Sequence, residues 1–152
     1  MDKELLKDFM KAVRQSTLKR LLKVPECYEH WKISKDPLSF AEVAKHLIDI
    51  DEWLVNKIRN PELKSIETQT AVMKECSREK FLELVEGLKK SLDEKLNLIE
   101  GLGRNELDGK IYDDGYDTEM TLAMFILRRN LDHEIHHRGQ LAVYLRVIEN
   151  LE

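Results

Sequence analysis

TEMTLAMFILRRNLDHEIHHRGQLAVYLRVIEN, residues 118–150, runs for more than thirty positions with no proline and with Gly139 as its sole glycine. A stretch that long without a breaker reads as one helix, from near Thr118 to about Asn150. On a helix at ~100° per residue, His133 and His137 fall ~40° apart, one turn from each other. Ile126 and Tyr144 point along the same direction, with Gln140 close by. A stripe of that composition belongs to the inside of a helix bundle, so the two imidazoles are expected to face inward.

Working outward, GLGRNELDGKIYDDGYD at residues 101–117 carries the turn signals Asp108-Gly109 and Asp114-Gly115. It reads as a short irregular or hairpin insertion before the last helix. Ahead of it, Phe81, Leu84, Leu88, Leu92 and Leu96 stripe a third helix from Ser77 to Ile99, with Gly101 as its stop. A start as early as Thr70 is also open. A second helix opens at Ser39, where Ser39-Phe40-Ala41-Glu42 has the form of a capping box. Val43, Leu47, Ile50 and Leu54 carry it to about Asn60, where Asn60-Pro61 ends it. The first helix, Asp2 to Lys23, shows Leu6, Phe9, Met10, Val13, Thr17 and Leu21 at helical spacing and stops before Pro25. A polar connection from Glu26 to Pro37 carries Tyr28 and Trp31. Four amphipathic helices with few connections predict an all-α four-helix bundle, a single domain over residues 1–152.

Composition agrees. Only 6 Gly and 3 Pro occur in 152 residues, which favours long helices over many short strands. Hydrophobic residues make up 42% and charged residues 36%, enough for one sizeable core. Nowhere does an apolar run approach the ~20 residues of a membrane span. The opening MDKELLKDFM has no signal-peptide character, so a cytoplasmic location is expected. Net charge is −4 with acids and bases interleaved, and no basic stripe suggests nucleic acid. Lys89-Lys90 and Arg128-Arg129 read as solvated faces. Cys27 and Cys76 lack a C-x-x-C neighbour and read as unpaired thiols.

The histidines carry the chemistry. An i, i+4 pair can bring two ring nitrogens to one ion at ~2.0–2.1 Å. His46 is the natural third ligand, because Val43, His46, Leu47 and Ile50 form another inward stripe. Asp49, one turn on, is a candidate further ligand or a group to orient a bound water. The bland alternative is hydrogen-bonded core histidines, but burying three imidazoles without a partner is costly. Three neutral nitrogens would leave coordination positions open, as in catalytic rather than closed structural sites. His136 falls toward the flank, and His30 sits in the polar connection.

His133-Glu134-Ile135-His136-His137 also spells H-E-x-x-H, the zincin metalloprotease string with the glutamate as general base. Only Glu149 remains downstream as a serious third ligand, about 18 Å along the same helix, and no sheet is expected to align a peptide. A ferritin-like di-metal site would need two Glu-x-x-His motifs, and Glu134-x-x-His137 supplies one.

His133-Glu134-Ile135-His136-His137-Arg138-Gly139-Gln140-Leu141 with Tyr144-Leu145-Arg146 closely resembles the C-terminal helix motif of the DinB/YfiT-like family. (This helical family is distinct from the DNA polymerase that shares the name.) Ser39-Phe40-Ala41-Glu42-Val43-Ala44-Lys45-His46-Leu47 is similar to the family's second-helix segment. The resemblance implies a four-helix bundle, frequent homodimers and a histidine triad on one divalent transition metal, with nickel, zinc, iron and manganese as occupants. Carried over position by position, the triad is His46, His133 and His137. Arg138 matches the motif and is expected in structural ion pairs at a helix or subunit contact. Gln140 is expected behind the ligands. Gly139 is expected to admit a close backbone approach.

The resemblance further implies a metal-dependent transferase that joins a low-molecular-weight thiol, such as bacillithiol or mycothiol, to a small-molecule electrophile in detoxification or stress response. One alternative keeps the site but uses a metal-bound hydroxide as nucleophile, a hydrolase with Asp49 or Glu134 relaying protons. The other is a non-catalytic stress-associated bundle held together by its metal.

Overall fold

The computed structural model describes residues 1–35, 37–65 and 75–151. Three long helices come first: α1 (Lys3–Leu21), α2 (Phe40–Arg59) and α3 (Arg78–Glu100). Each begins on a side chain that accepts an otherwise orphaned backbone N–H. Asp2 takes the Glu4 amide at 2.8 Å and Ser77 takes the Lys80 amide at 3.1 Å. Ser39 and Glu42 form the expected reciprocal box, at 3.1 and 3.0 Å. The earlier start for the third helix, at Thr70, lies outside the described residues.

After a 3₁₀ turn at Glu106–Asp108 come β1 (Lys110–Asp113) and β2 (Thr118–Thr121), paired antiparallel with Ile111 opposite Met120. The protein is therefore mostly helical with a two-stranded sheet, rather than purely all-α. Spacing predicts the last helix from Thr118, but residues 118–121 pair with β1 instead. Thr121 then caps the helix, accepting the Met124 amide at 3.1 Å. From there α4 (Leu122–Ile126), a π-helical turn (Leu127–Leu131) and α5 (Asp132–Glu149) follow without a break.

Four long helices, α1, α2, α3 and α5, pack side by side. Lys3 Nζ donates to the carbonyls of Glu100 and Leu102, both at 3.0 Å, setting the start of α1 beside the end of α3. Arg78 Nη1 donates to the Val24 carbonyl at 2.7 Å at the other end. One core cluster there gathers Leu21, Phe40, Phe81, Leu141, Tyr144 and Ile148. Helices α1 and α5 thus run one way, and α2 and α3 the other. A second cluster, with Leu6, Leu54, Ile99, Leu107, Phe125 and Ile126, closes the opposite end around the hairpin. No described helix is long and apolar enough to cross a membrane.

The buried faces differ from the apolar stripes in an instructive way. Phe9 is 42% exposed, while Arg14, beside Val13, is fully buried. On α3 the buried face runs Phe81, Val85, Leu88, Ser91, Lys95 and Ile99, rotated from the leucine stripe. On the last helix the π turn is responsible. A π turn holds about one residue more than an α turn. The interior stripe therefore runs from Ile126 through Asn130 to Glu134, and on to His137, Leu141, Tyr144 and Ile148. In an unbroken α-helix the position in line with Ile126 would be His133. The π turn passes it to Glu134, which is 2% exposed.

Candidate metal centre

His46 enters from α2, and His133 and His137 from α5. His133 Nε2 lies 3.0 Å from His46 Nε2 and 3.0 Å from His137 Nε2. The three ring centroids stand 4.8 to 5.1 Å apart. Among the described residues this is the one group of three or more His, Cys, Asp or Glu whose ligand atoms all lie within 4.8 Å of one another. Two nitrogens each ~2.0–2.1 Å from an ion are separated by ~2.9–3.4 Å for bond angles of ~90–110°. The observed spacing therefore fits a shared ion.

The imidazoles are kept neutral, as ligands must be. Burial pushes His133 down to about 4, and the neighbouring ring of His137 adds to the effect. Burial likewise takes His137 down to about 4, against the opposing effect of its hydrogen bond to Gln140. His46 is lowered by burial, with Asp49 pulling the other way.

Behind His137 the outer partners are well defined. Nδ1 of His137 donates to Gln140 Oε1 at 3.0 Å, which leaves the lone pair on Nε2. The Gln140 amide is oriented by its own donations to Tyr144 Oη at 2.9 Å and to the Leu38 carbonyl at 3.4 Å. Tyr144 Oη donates to the same carbonyl at 3.0 Å. Trp31 and Phe40 pack edge-on against the Tyr144 ring, at 5.3 and 5.4 Å between centroids. The connection before α2 is thereby tied to the site. An open cleft of about 710 Å³ reaches His137 between Pro37, Leu38, His136, Gly139, Gln140 and Val143.

Two candidate carboxylates do not join the histidines. Asp49 Oδ1 is held by Lys45 Nζ at 2.6 Å on the surface of α2. Glu134 points into the bundle, where its Oε1 accepts from Arg14 Nε at 2.7 Å and Thr17 Oγ1 at 2.9 Å. The zincin reading fails on this geometry, because the would-be general base faces away from the imidazoles. His136 lies on the flank of α5, its ring 5.3 Å from that of His137. Arg138 has no ion-pair partner among the described residues, and a Cβ on Gly139 would meet nothing within 4 Å. The ion pair expected of the first and the close approach expected at the second are not made among the described residues. Cys27 and Cys76 are both free and line another recess with His30.

Sequence reasoning misses a second polar group altogether. Arg14, Asp51, Lys95 and Glu134 are each at most 2% exposed. Arg14 Nη2 donates to Asp51 Oδ2 at 2.8 Å and to Glu134 Oε2 at 3.0 Å. Lys95 Nζ sits 2.9 Å from Asp51 Oδ1 and 2.8 Å from Asn130 Oδ1. Asn130 Nδ2 and Ser91 Oγ complete the Asp51 carboxylate, at 3.0 and 2.7 Å. Burial alone would raise Asp51, but Lys95 and Arg14 outweigh it and hold the carboxyl low. Arg14 and Lys95 face Asp51 and Glu134 in a buried cluster that joins all four long helices. The one signal in the sequence is that Arg14, Asp51 and Lys95 stand at inward spacings on three separate helices.

These features define a class: helical bundles that converge three neutral imidazoles from two antiparallel helices beside an open cleft. The signature of the DinB family matches residues 1–148, and the chain belongs to that family. Among solved structures it is similar to the DinB-like protein YjoA of Bacillus subtilis. That likeness has a TM-score of 0.68 at 23% identity and covers 95% of this chain and 92% of that one. An uncharacterised protein from Clostridium difficile 630 matches with a TM-score of 0.65 at 16% identity, covering 97% and 98%. At these identities the likeness speaks for the fold. No curated protein matches the sequence significantly.

Proposed function

We propose that Nε2 of His46, His133 and His137 holds one divalent transition metal, and that the protein is a metal-dependent transferase joining a low-molecular-weight thiol to a small electrophile. The observation that carries this reading is the approach of His46 Nε2 and His137 Nε2 to His133 Nε2, each at 3.0 Å. Burial keeps these rings unprotonated at neutral pH. The donor set of three imidazoles suits zinc, nickel and iron alike. Bound there, the ion would supply Lewis acidity that lowers the pKa of a thiol.

The residues around the triad have separate tasks. Gln140 fixes the tautomer of His137, and Tyr144 fixes Gln140. Pro37, Leu38 and Val143 give the cleft an apolar wall on which a substrate can shed water.

Hydrolysis is the second reading of the same site, and one observation weighs against it. Asp49 is tied to Lys45 and Glu134 is turned into the bundle against Arg14, so both carboxylates are engaged elsewhere. A thiol already acidified at the site needs no proton relay. The cleft beside His137 supports an accessible site over a closed, purely structural one.

The test is turnover of a model electrophile by protein loaded with nickel, zinc, iron or manganese, with and without thiol. The rate should require both metal and thiol, and His46→Ala should abolish it while helical content is retained. An unchanged rate in His46→Ala ends the proposal, and turnover without thiol transfers it to a hydrolase. Light scattering tests the homodimer that family membership suggests.

A further inference from the structure

The buried charge cluster and the triad share a helix. On α5, Glu134 and Asn130 before it face the cluster, and His133 and His137 face His46. The two stripes are adjacent around the axis, so whatever fixes one fixes the other. Apolar packing alone holds a helix loosely against rotation, because side chains of similar size can exchange places along a stripe. A cluster of two cations and two anions cannot rotate out of register without leaving a charge buried and unpaired. Its geometry is specific. Arg14 grips Glu134 through two nitrogens, at 2.7 and 3.0 Å, and Asn130 bridges Asp51 and Lys95 at 3.0 and 2.8 Å.

The π turn is what makes this arrangement possible. It inserts one residue between Ile126 and the site, and so brings Glu134 into line below the buried Ile126 and Asn130. An unbroken α-helix would aim His133 where Glu134 now sits.

We infer that Asn130 and Glu134 are positioning residues of the metal centre: docked into the Arg14–Asp51–Lys95 cluster, they set the rotation of α5 that turns His133 and His137 toward His46. The inference rests on the three-histidine reading above for its metal, but not for its geometry. The cluster reaches α2 as well, through Asp51, which lies a little over one turn beyond His46. Both sides of the triad are therefore referenced to the same charges.

A double variant separates positioning from mere stabilisation. Arg14→Met with Glu134→Leu removes one cation and one anion together and leaves Asp51 paired with Lys95. Replacing a buried ion pair by apolar residues of similar volume is commonly neutral or stabilising. The double variant should unfold at the same denaturant concentration as wild type or higher. Its affinity for zinc should nevertheless fall by about tenfold, the low end of what losing the orientation of metal ligands costs. The visible bands of the cobalt(II) form should shift or broaden. Wild-type zinc affinity with an unchanged cobalt spectrum would overturn the inference.

Should the double variant not fold, Asn130→Leu removes no charge and is measured in the same way: weakened zinc binding supports the inference, and unchanged binding with an unchanged spectrum overturns it. If wild type binds neither zinc nor cobalt, the proposed function falls by itself. The inference is then decided by the nuclear Overhauser contact between the His46 and His133 rings. That contact should be clear in wild type and weakened in the variant, and equal contacts would overturn the inference.

Discussion

Two polar groups lie side by side in this bundle and have opposite characters. The triad at His46, His133 and His137 is uncharged, borders an open cleft and is backed by Gln140. The cluster at Arg14, Asp51, Lys95 and Glu134 is buried, pairs acids with bases and is rich in partners. One is built to receive something from outside, the other to accept nothing more. In physical terms, a site for a ligand keeps lone pairs for it, and a structural group spends them all within the fold.

The largest contrast should appear on truncation. Glu134→Ala leaves the buried Arg14 and Lys95 facing Asp51 alone, and removing one partner of a buried pair costs about 3–5 kcal/mol. His46→Ala in metal-free protein removes no charge and should cost about 1 kcal/mol or less. Urea unfolding of the two variants measures the difference, and equal losses would erase the distinction.

Metal should sharpen it further. An ion at a hundred times its dissociation constant stabilises the folded state by about 2.7 kcal/mol. Thermal unfolding with and without zinc should show that gain in wild type and lose it in His133→Ala. A full gain in the variant would place the ion elsewhere.

Acid should weaken the triad's neighbourhood in a predictable window. His133 and His137 titrate near 4 when folded, below their ordinary 6.5. The unfolded chain therefore takes up protons that the folded chain refuses between those values. Stability of the metal-free protein should be complete above pH 6.5 and decline as pH falls toward 4. His133→Gln should flatten that decline, as followed by unfolding midpoints across pH. A profile identical to wild type would mean the burial of this ring matters little. The smallest effect belongs to Gly139→Ala. With no described residue within 4 Å of its Cβ, the substitution should stabilise the helix by up to about 1 kcal/mol.

The difference between the two groups also explains what the sequence discloses. Histidines are rare here, so an i, i+4 pair in a Leu- and Ile-lined bundle stands out, and its motif points to the family and to His46. The helices are legible because Ser39, Ser77 and Pro25 punctuate them. The cluster is hidden because its members are ordinary charged residues in a chain that is 36% charged. Arg14 and Lys95 fall at inward spacings, but a charged residue there stays unexplained until its partners arrive from other helices. Glu134 escapes for a more specific reason: a π turn leaves no mark in periodicity, yet it moves the interior stripe by one residue. The strand at Thr118–Thr121 reads as helix because local spacing cannot register its pairing with Lys110–Asp113.

The central claim is that three neutral imidazoles meet to hold one ion. Elemental analysis of the purified, tag-free protein by inductively coupled plasma mass spectrometry, beside His133→Ala, tests it most directly. Close to one equivalent of a transition metal is expected in wild type, and its loss in the variant. No metal in wild type, even after reconstitution with nickel, zinc and manganese, would contradict it.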